Sequence, residues 1–265
     1  MAVSDHPVAE TEIGQTAGVL EIRDLTVAFP SYGAQSAVVL RDVDLDLRPG
    51  QVLGVVGESG SGKTMLARAI MRLIPSPGRI EQGTIRFGDR DLAKLGDEEL
   101  REVRGHEIAM IISNPRGELD PLQTVGRQIR DVLRAHLKLS RGEARERALE
   151  LLRQVSIPDP KRRMDAYPHE LSGGMAQRVV MAISLSCSPQ LIISDDATSG
   201  LDVTVQSQVL ELMRDLVIGR GTSMLFITRD LAITAHYCDR IAIIYAGEIV
   251  ELADRLEFFD NPQHP

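Results

Sequence analysis

Apolar and polar residues alternate from Val19 onward, first in VLEIRDLTVAF and then in VVLRDVDLDL. A period of two predicts antiparallel strands with one buried face. Arg48-Pro49-Gly50 reads as a turn, and Gln51–Val56 as a short apolar strand. GESGSGKT follows at residues 57–64, then MLARAIMRLI, a helix closed by Pro75. The pattern next predicts a strand at Gly83–Phe87, a short helix in DLAKLGDEELREVRG ending at Gly105, and a strand at Ile108–Ile112.

Residues 116–187 change character. Helical spacing dominates there, with predicted helices at Val125–Leu137, Ala144–Gln154 and Ala176–Ser186, as expected of a helical lobe inserted into a sheet domain. The sheet pattern resumes at Leu191–Asp196. Helix Val203–Val217, strand Met224–Thr228, helix Leu231–His236, strand Arg240–Tyr245 and, after a turn at Ala246-Gly247, strand Glu248–Leu252 complete it. Repeated strand–helix units imply a mostly parallel sheet covered by helices, with a ligand beyond the carboxyl ends of the strands.

Composition narrows the function classes. The 265 residues, 43% of them hydrophobic, suffice for one large domain with a smaller lobe. A net charge of -8 argues against nucleic acid as the main partner, and the absence of Trp with only 3% aromatics leaves no stacking platform for single strands. Cys187 and Cys238 are far apart in apolar surroundings, which suggests neither a disulfide framework nor a zinc cluster. Residues 1–17 read as a disordered leader carrying acids and no apolar run, unlike a signal peptide. No stretch reaches the roughly 18 apolar residues of a membrane span.

The chemistry concentrates at Gly57, Glu58, Ser59, Gly60, Ser61, Gly62, Lys63 and Thr64. Glycines let successive backbone N–H groups surround a phosphate, and the following helix turns its positive end toward it. Lys63 can reach the β and γ phosphates of ATP, and Thr64 can place its hydroxyl on Mg²⁺. Asp195 closes an apolar strand and can hold Mg²⁺ through water; its neighbour Asp196 can orient or activate the attacking water.

Between these motifs lies LSGGMAQR, at Leu171–Arg178. With GESGSGKT, LDPLQTVGRQI, the Gly200-Leu201-Asp202 loop, YAGEIVE and the closing NPQHP, it makes residues 19–264 resemble the ATPase subunit of ATP-binding cassette (ABC) importers of the oligopeptide, dipeptide and nickel family. The resemblance implies an α/β fold: a P-loop NTPase core of the ABC ATPase, RecA-like kind, with an N-terminal antiparallel β subdomain and an inserted α-helical subdomain. Residues 18–265 would form one such domain, with 18–115 and 188–265 as nucleotide-binding core and 116–187 as helical subdomain.

In that family two cassettes pack head to tail, each ATP lying between the P-loop of one and the signature of the other. Ser172, Gly173 and Gly174 open a helix, and suit an N–H cradle for the γ-phosphate of an opposing subunit. The resemblance assigns adenine stacking to an aromatic near the end of the first strand: Phe29, with Tyr32 as runner-up. Asn114–Gln128 matches the segment that receives the membrane subunit's coupling helix. Leu119, Leu122 and Val125 would contact that helix or fill the helical lobe.

Departures from the family fall on the positions used for hydrolysis. Ser113 stands where the family has a glutamine, Asp196 where it has the catalytic glutamate, and Arg229, in ITRD, where it has a histidine. Serine lacks the amide and its reach, aspartate retracts the carboxylate by one methylene, and arginine offers charge without an acceptor. Small displacements of a catalytic group cost on the order of 100-fold in rate. Ala197 replaces a proline, a milder change.

The expectation is therefore a degenerate cassette that binds MgATP but hydrolyses it poorly, while its intact LSGGM completes the site of a second, catalytically complete cassette. The alternative is a self-paired chain with weak hydrolysis at both sites. The implied partners are that second ATPase subunit, two transmembrane permease subunits and, indirectly, an extracytoplasmic substrate-binding protein, with the chain held at the cytoplasmic face of the membrane. An ATP-sensing accessory protein without transport, and a soluble cassette in repair or translation, are the competing classes; the latter resembles paired cassettes with long insertions, which this chain lacks.

Overall fold

The computed structural model describes residues 18–30 and 36–264; the leader 1–17 and Tyr32 lie outside them. β1 (Leu20–Phe29) and β2 (Ala37–Leu47) pair antiparallel, with Leu20 opposite Leu47 and Phe29 opposite Ala37. Leu20, Ile22, Leu25 and Val27 are fully buried. An odd number of steps separates Ile22 from Leu25, so strict alternation would turn Leu25 outward. The register shifts between them, and Asp24 takes a φ of 51°; this bulge absorbs the odd residue and returns Leu25 to the core.

β3 (Val52–Val56) leads into α1 (Lys63–Ile70). The helix is shorter than its apolar pattern predicts. It ends at Met71, and Arg72 then takes a φ of 53°, which turns Leu73 and Ile74 away from the helix axis. β4 (Arg79–Phe87) begins earlier than predicted and pairs with β1 and with the short β5 (Arg90–Asp91). α2 (Asp97–Val103) occupies only the second half of its predicted span, because Glu99 folds back on the Gly96 N–H at 2.8 Å and fixes the start there.

After β6 (Ile108–Ile112) come α3 (Pro115–Glu118), α4 (Val125–His136), α5 (Arg141–Gln154), α6 (Pro160–Arg163) and α7 (Gly173–Ser184). α7 begins three residues before its predicted start, because the Ser172 hydroxyl accepts the Met175 N–H and so caps the glycines into the helix. The chain continues through β7 (Leu191–Asp195), α8 (Val203–Ile218), β8 (Ser223–Thr228), α9 (Leu231–Tyr237), β9 (Arg240–Tyr245), β10 (Glu248–Asp254) and α10 (Arg255–Asp260). α3, α6 and α10 are too short to impose a helical period on the sequence.

Two sheets result: an antiparallel one in the order β2-β1-β4-β5, and one in the order β10-β9-β3-β8-β7-β6 that is parallel except at β10. The six-stranded sheet divides two hydrophobic cores by residue parity. Leu53, Val55, Leu191, Ile193, Leu225 and Ile227 face α1 and the antiparallel sheet. Val52, Ile192, Met224 and Phe226 face the other way, into a core shared with α4, α5, α7 and α8. The inner positions of these strands are apolar apart from Ser194 in β7, because neither face meets water.

Candidate functional site

The carboxyl ends of β3, β7 and β8 converge on a cleft of about 310 Å³ lined by Ser59, Gly60, Gly62, Lys63, Thr64, Asp195, Asp196 and Arg229, with Val39 and Met65 at its side. Two glycines of the loop 57–62 leave no room for a side chain. A Cβ on Gly57 would stand 2.2 Å from the Ile244 carbonyl oxygen, and one on Gly62, where φ is 108°, would stand 2.8 Å from Leu40. Gly60 has a φ of 82° and open space around it, so its requirement is conformational rather than steric. The loop is anchored from outside by the Gly247 N–H, which donates to the Ser61 carbonyl at 2.9 Å.

Lys63 is buried, and its ammonium donates to the carbonyls of Gly57 at 2.7 Å and Glu58 at 2.6 Å, with the Ser61 hydroxyl at 3.3 Å. Burial draws its pKa below the ordinary lysine value; nearby Asp196 opposes that shift and Arg229 adds to it. The Thr64 hydroxyl donates to Asp195 Oδ1 at 3.2 Å. Burial raises the Asp195 carboxyl above its usual range, partly offset by that hydrogen bond. A hydroxyl and a desolvated carboxylate oxygen brought together beside an ammonium fit the hard oxygen donors that Mg²⁺ takes when it is shared with phosphates. The cradle, the lysine and this pair together fit a magnesium nucleotide.

Asp196 follows β7 in the left-handed region, with a φ of 51°, a conformation Asp tolerates better than most residues. Its N–H donates to the Ile227 carbonyl at 2.9 Å. Its Oδ2 meets Arg229 Nη2 at 3.0 Å, so the acid and the base at the end of β8 are joined directly.

Other candidate residues lie apart from this cleft. Ser113 is exposed just beyond Ile112, which pairs with Asp195 in the parallel ladder. Phe29 packs its ring against the turn after α1: a Cβ on Gly78 would stand 2.5 Å from Phe29 Cζ. Ser172, Gly173 and Gly174 open α7 beneath the Gly200-Leu201-Asp202 loop and α8, where a Cβ on Gly174 would approach Val205 Cγ1 to 2.6 Å. Leu119 and Val125 are buried core residues, whereas Leu122 is 84% exposed. Val39 and Met65 escaped the sequence reading because nothing in an alternating strand or a helical turn marks which side chain borders a cleft.

A phosphate-cradling loop at the end of a parallel strand, a buried lysine, and an aspartate hydrogen-bonded to the loop's threonine define a P-loop nucleotide-binding protein. The sequence model of the family described as ABC transporter matches residues 40–199. The chain belongs to the ABC transporter family, as an ATP-binding subunit of its peptide-transport branch.

It is similar to the oligopeptide transport ATP-binding protein OppD of Bacillus subtilis (strain 168), 47% identical over 248 residues that make up 93% of this chain and 69% of OppD. The dipeptide transport ATP-binding protein DppD of Escherichia coli (strain K12) is 41% identical over 247 residues, 93% of this chain and 75% of DppD. Among solved structures, the dimeric bacterial ABC transporter cassette MJ0796 superposes with a TM-score of 0.79 at 26% identity, covering 89% of this chain and 98% of that one. The architecture is thus that of the ABC ATPase: a RecA-like P-loop core, an N-terminal β subdomain and a helical subdomain. Among the described residues, no helix is long and apolar enough to cross a membrane.

Proposed function

We propose that this chain is one of two ATP-binding cassettes in an importer of oligopeptides, dipeptides, nickel or a related small solute. It holds MgATP at its own P-loop with little hydrolysis and completes the partner cassette's site through Leu171–Met175. Names of the similar proteins, which specify oligopeptide and dipeptide transport, support peptides as the leading cargo. By the same likeness the working complex includes two membrane-spanning permeases at whose cytoplasmic face the chain is held, and an extracytoplasmic binding protein.

The observation that carries the asymmetric reading is the ion pair between Arg229 and Asp196. An acid that positions or deprotonates water needs a free lone pair aimed at that water. Arg229 occupies one carboxylate oxygen with a permanently charged donor and has no acceptor with which to share the water. Lys63, Thr64 and Asp195 keep what binding requires. Mg²⁺, held between Thr64, Asp195 and the phosphates, would neutralise charge on the nucleotide. Ser172, Gly173 and Gly174, exposed or half-buried at the start of α7, would present N–H groups to an opposing nucleotide.

A second reading has its own observation: Asp196 still lines the phosphate cleft as a carboxylate, as slow hydrolysis in a self-paired chain would require. ATP turnover by the assembled transporter in lipid vesicles separates the two. Under the asymmetric reading Asp196→Asn leaves turnover nearly unchanged and Ser172→Arg abolishes it. Equal and full loss from both substitutions would refute the asymmetric reading and make Asp196 a working catalytic acid.

A further inference from the structure

The six-stranded sheet has a second concave site at the opposite end of its strands. Phosphate chemistry gathers where β3, β7 and β8 finish; this cavity, of about 650 Å³, opens where β7 and β8 begin. Five residues of strand at about 3.3 Å each keep the two roughly 15 Å apart. Its lining includes Arg147 from α5, Arg220 from the turn after α8, Gln154, Ser188, Gln190 and Thr222.

Two guanidinium groups face this cavity, and no Asp or Glu among the described residues lines it. The imbalance stands out in a chain of net charge -8. Arg220 is half-buried and donates to the Leu185 carbonyl at 3.1 Å and to Gln154 Oε1 at 2.5 Å, which leaves three of its five N–H donors uncommitted. Arg147, also half-buried, makes no hydrogen bond or ion pair among the described residues. Burial, and then the nearby charge of Arg147, draw the Arg220 guanidinium below its ordinary pKa. Two like charges held together in a partly desolvated cavity repel, and an anion between them removes the repulsion and satisfies their donors.

We infer that this cavity binds a phosphate-bearing small molecule, gripped by Arg147 and Arg220 and separate from the nucleotide site. The donors come from α5 on one side and from the turn after α8 on the other, so they approach from different directions. That suits a tetrahedral oxyanion better than a planar carboxylate, whose two oxygens share one plane. The volume exceeds what a lone phosphate fills and falls within the range of small-ligand pockets, which favours a phosphate monoester over the free ion. A ligand there would tie α5, within the inserted helices, to the parallel-sheet core at a point that Arg220 bridges through Gln154 and Leu185.

Calorimetric titration of the full chain with ribose 5-phosphate, and separately with inorganic phosphate, tests this. Saturating MgADP fills the P-loop, and a Lys63→Ala chain titrated without nucleotide gives an independent control for phosphate binding at Gly57–Thr64. The inference expects saturable ribose 5-phosphate binding that persists in Lys63→Ala and weakens at least roughly tenfold in Arg147→Gln, the loss expected when one charge-assisted contact goes. Arg147→Gln breaks no hydrogen bond or ion pair among the described residues and removes the repulsion with Arg220, so its melting temperature without ligand should equal or exceed that of the unmodified protein. Ligand should raise that temperature in the unmodified chain and not in the variant. Tighter binding of inorganic phosphate would identify the free ion as the source of the same oxyanion chemistry. Absence of saturable binding, equal binding by Arg147→Gln, or loss of binding in Lys63→Ala would each overturn the inference.

Discussion

Thr64 Oγ1 donates to Asp195 Oδ1 at 3.2 Å, joining the first turn of α1 to the last residue of β7. The acceptor is an acid whose burial raises its pKa and whose neighbour Asp196 raises it further. A raised acid binds its proton more tightly in the folded state. Its contribution to stability is therefore complete below the unfolded aspartate value of about 4 and is lost as pH rises through the folded value. Asp195→Asn, which still accepts from Thr64, should be the more stable protein at pH 7.5 without nucleotide, and the difference should vanish toward pH 4. Urea midpoints across that range measure it; an Asn variant less stable at pH 7.5 would refute the burial argument.

The ion pair between Arg229 and Asp196 makes a second prediction. Replacing Ser113, Asp196 and Arg229 together by Gln, Glu and His should raise hydrolysis at this chain's own site by on the order of 10 to 100-fold. Single-turnover measurements on a complex whose partner cassette is inactivated would read that site alone. Arg229→Ala by itself should give much less, because it frees the acid without restoring its length.

Gly174 and Val205 define a close approach between α7 and α8. Gly174→Ala should cost about 1–3 kcal/mol, the usual penalty for overpacking a rigid contact. Val205→Ala should recover most of that loss, and a double-mutant cycle by chemical denaturation yields the coupling. Additive costs would mean that α7 moves rather than clashes.

Cys238 is buried, and burial, aided by Asp239, pushes its thiol up to about 12. Its neutral form favours the fold below the unfolded cysteine value of about 8.5, and that contribution is lost as pH climbs through about 12. At pH 8 a thiol reagent should modify Cys238 only at the rate of opening, so its labelling should track urea unfolding. Labelling that stays fast in conditions where the protein is fully folded would contradict the packing of Cys238 against Gly54, where a Cβ would stand 2.8 Å from Sγ.

Much of this was legible in the chain because it is encoded locally. GESGSGKT carries its chemistry in eight consecutive residues, the alternation of β1 and β2 marks most of their buried faces, and the continuous apolar runs of the parallel strands mark burial on both sides. Asp196 stood out by its place after Asp195 at a strand end, whereas Ser113 and Arg229 could be singled out only against the family pattern. Their geometry depended on the sheet: Arg229 reaches Asp196 because β8 runs beside β7, with Asp195 in register with Ile227. Nothing local signals that Phe29 turns toward Gly78, that Val39 borders the cleft, or that Arg147 and Arg220 face one cavity. The longer helices were visible by period, whereas α3, α6 and α10 complete too few turns to repeat anything.

The parity of the six-stranded sheet gives adjacent residues separate neighbourhoods. Leu225 and Phe226 are consecutive, yet one belongs to the core beneath the antiparallel sheet and the other to the core shared with α4, α5, α7 and α8. The sheet is a wall with two rooms, and the nucleotide cleft lies along its top edge where both rooms end. A packing change in one room is therefore walled off from the other by the sheet itself, so a cavity opened at Leu225 and one opened at Phe226 fall among different neighbours although the two residues are joined by one peptide bond.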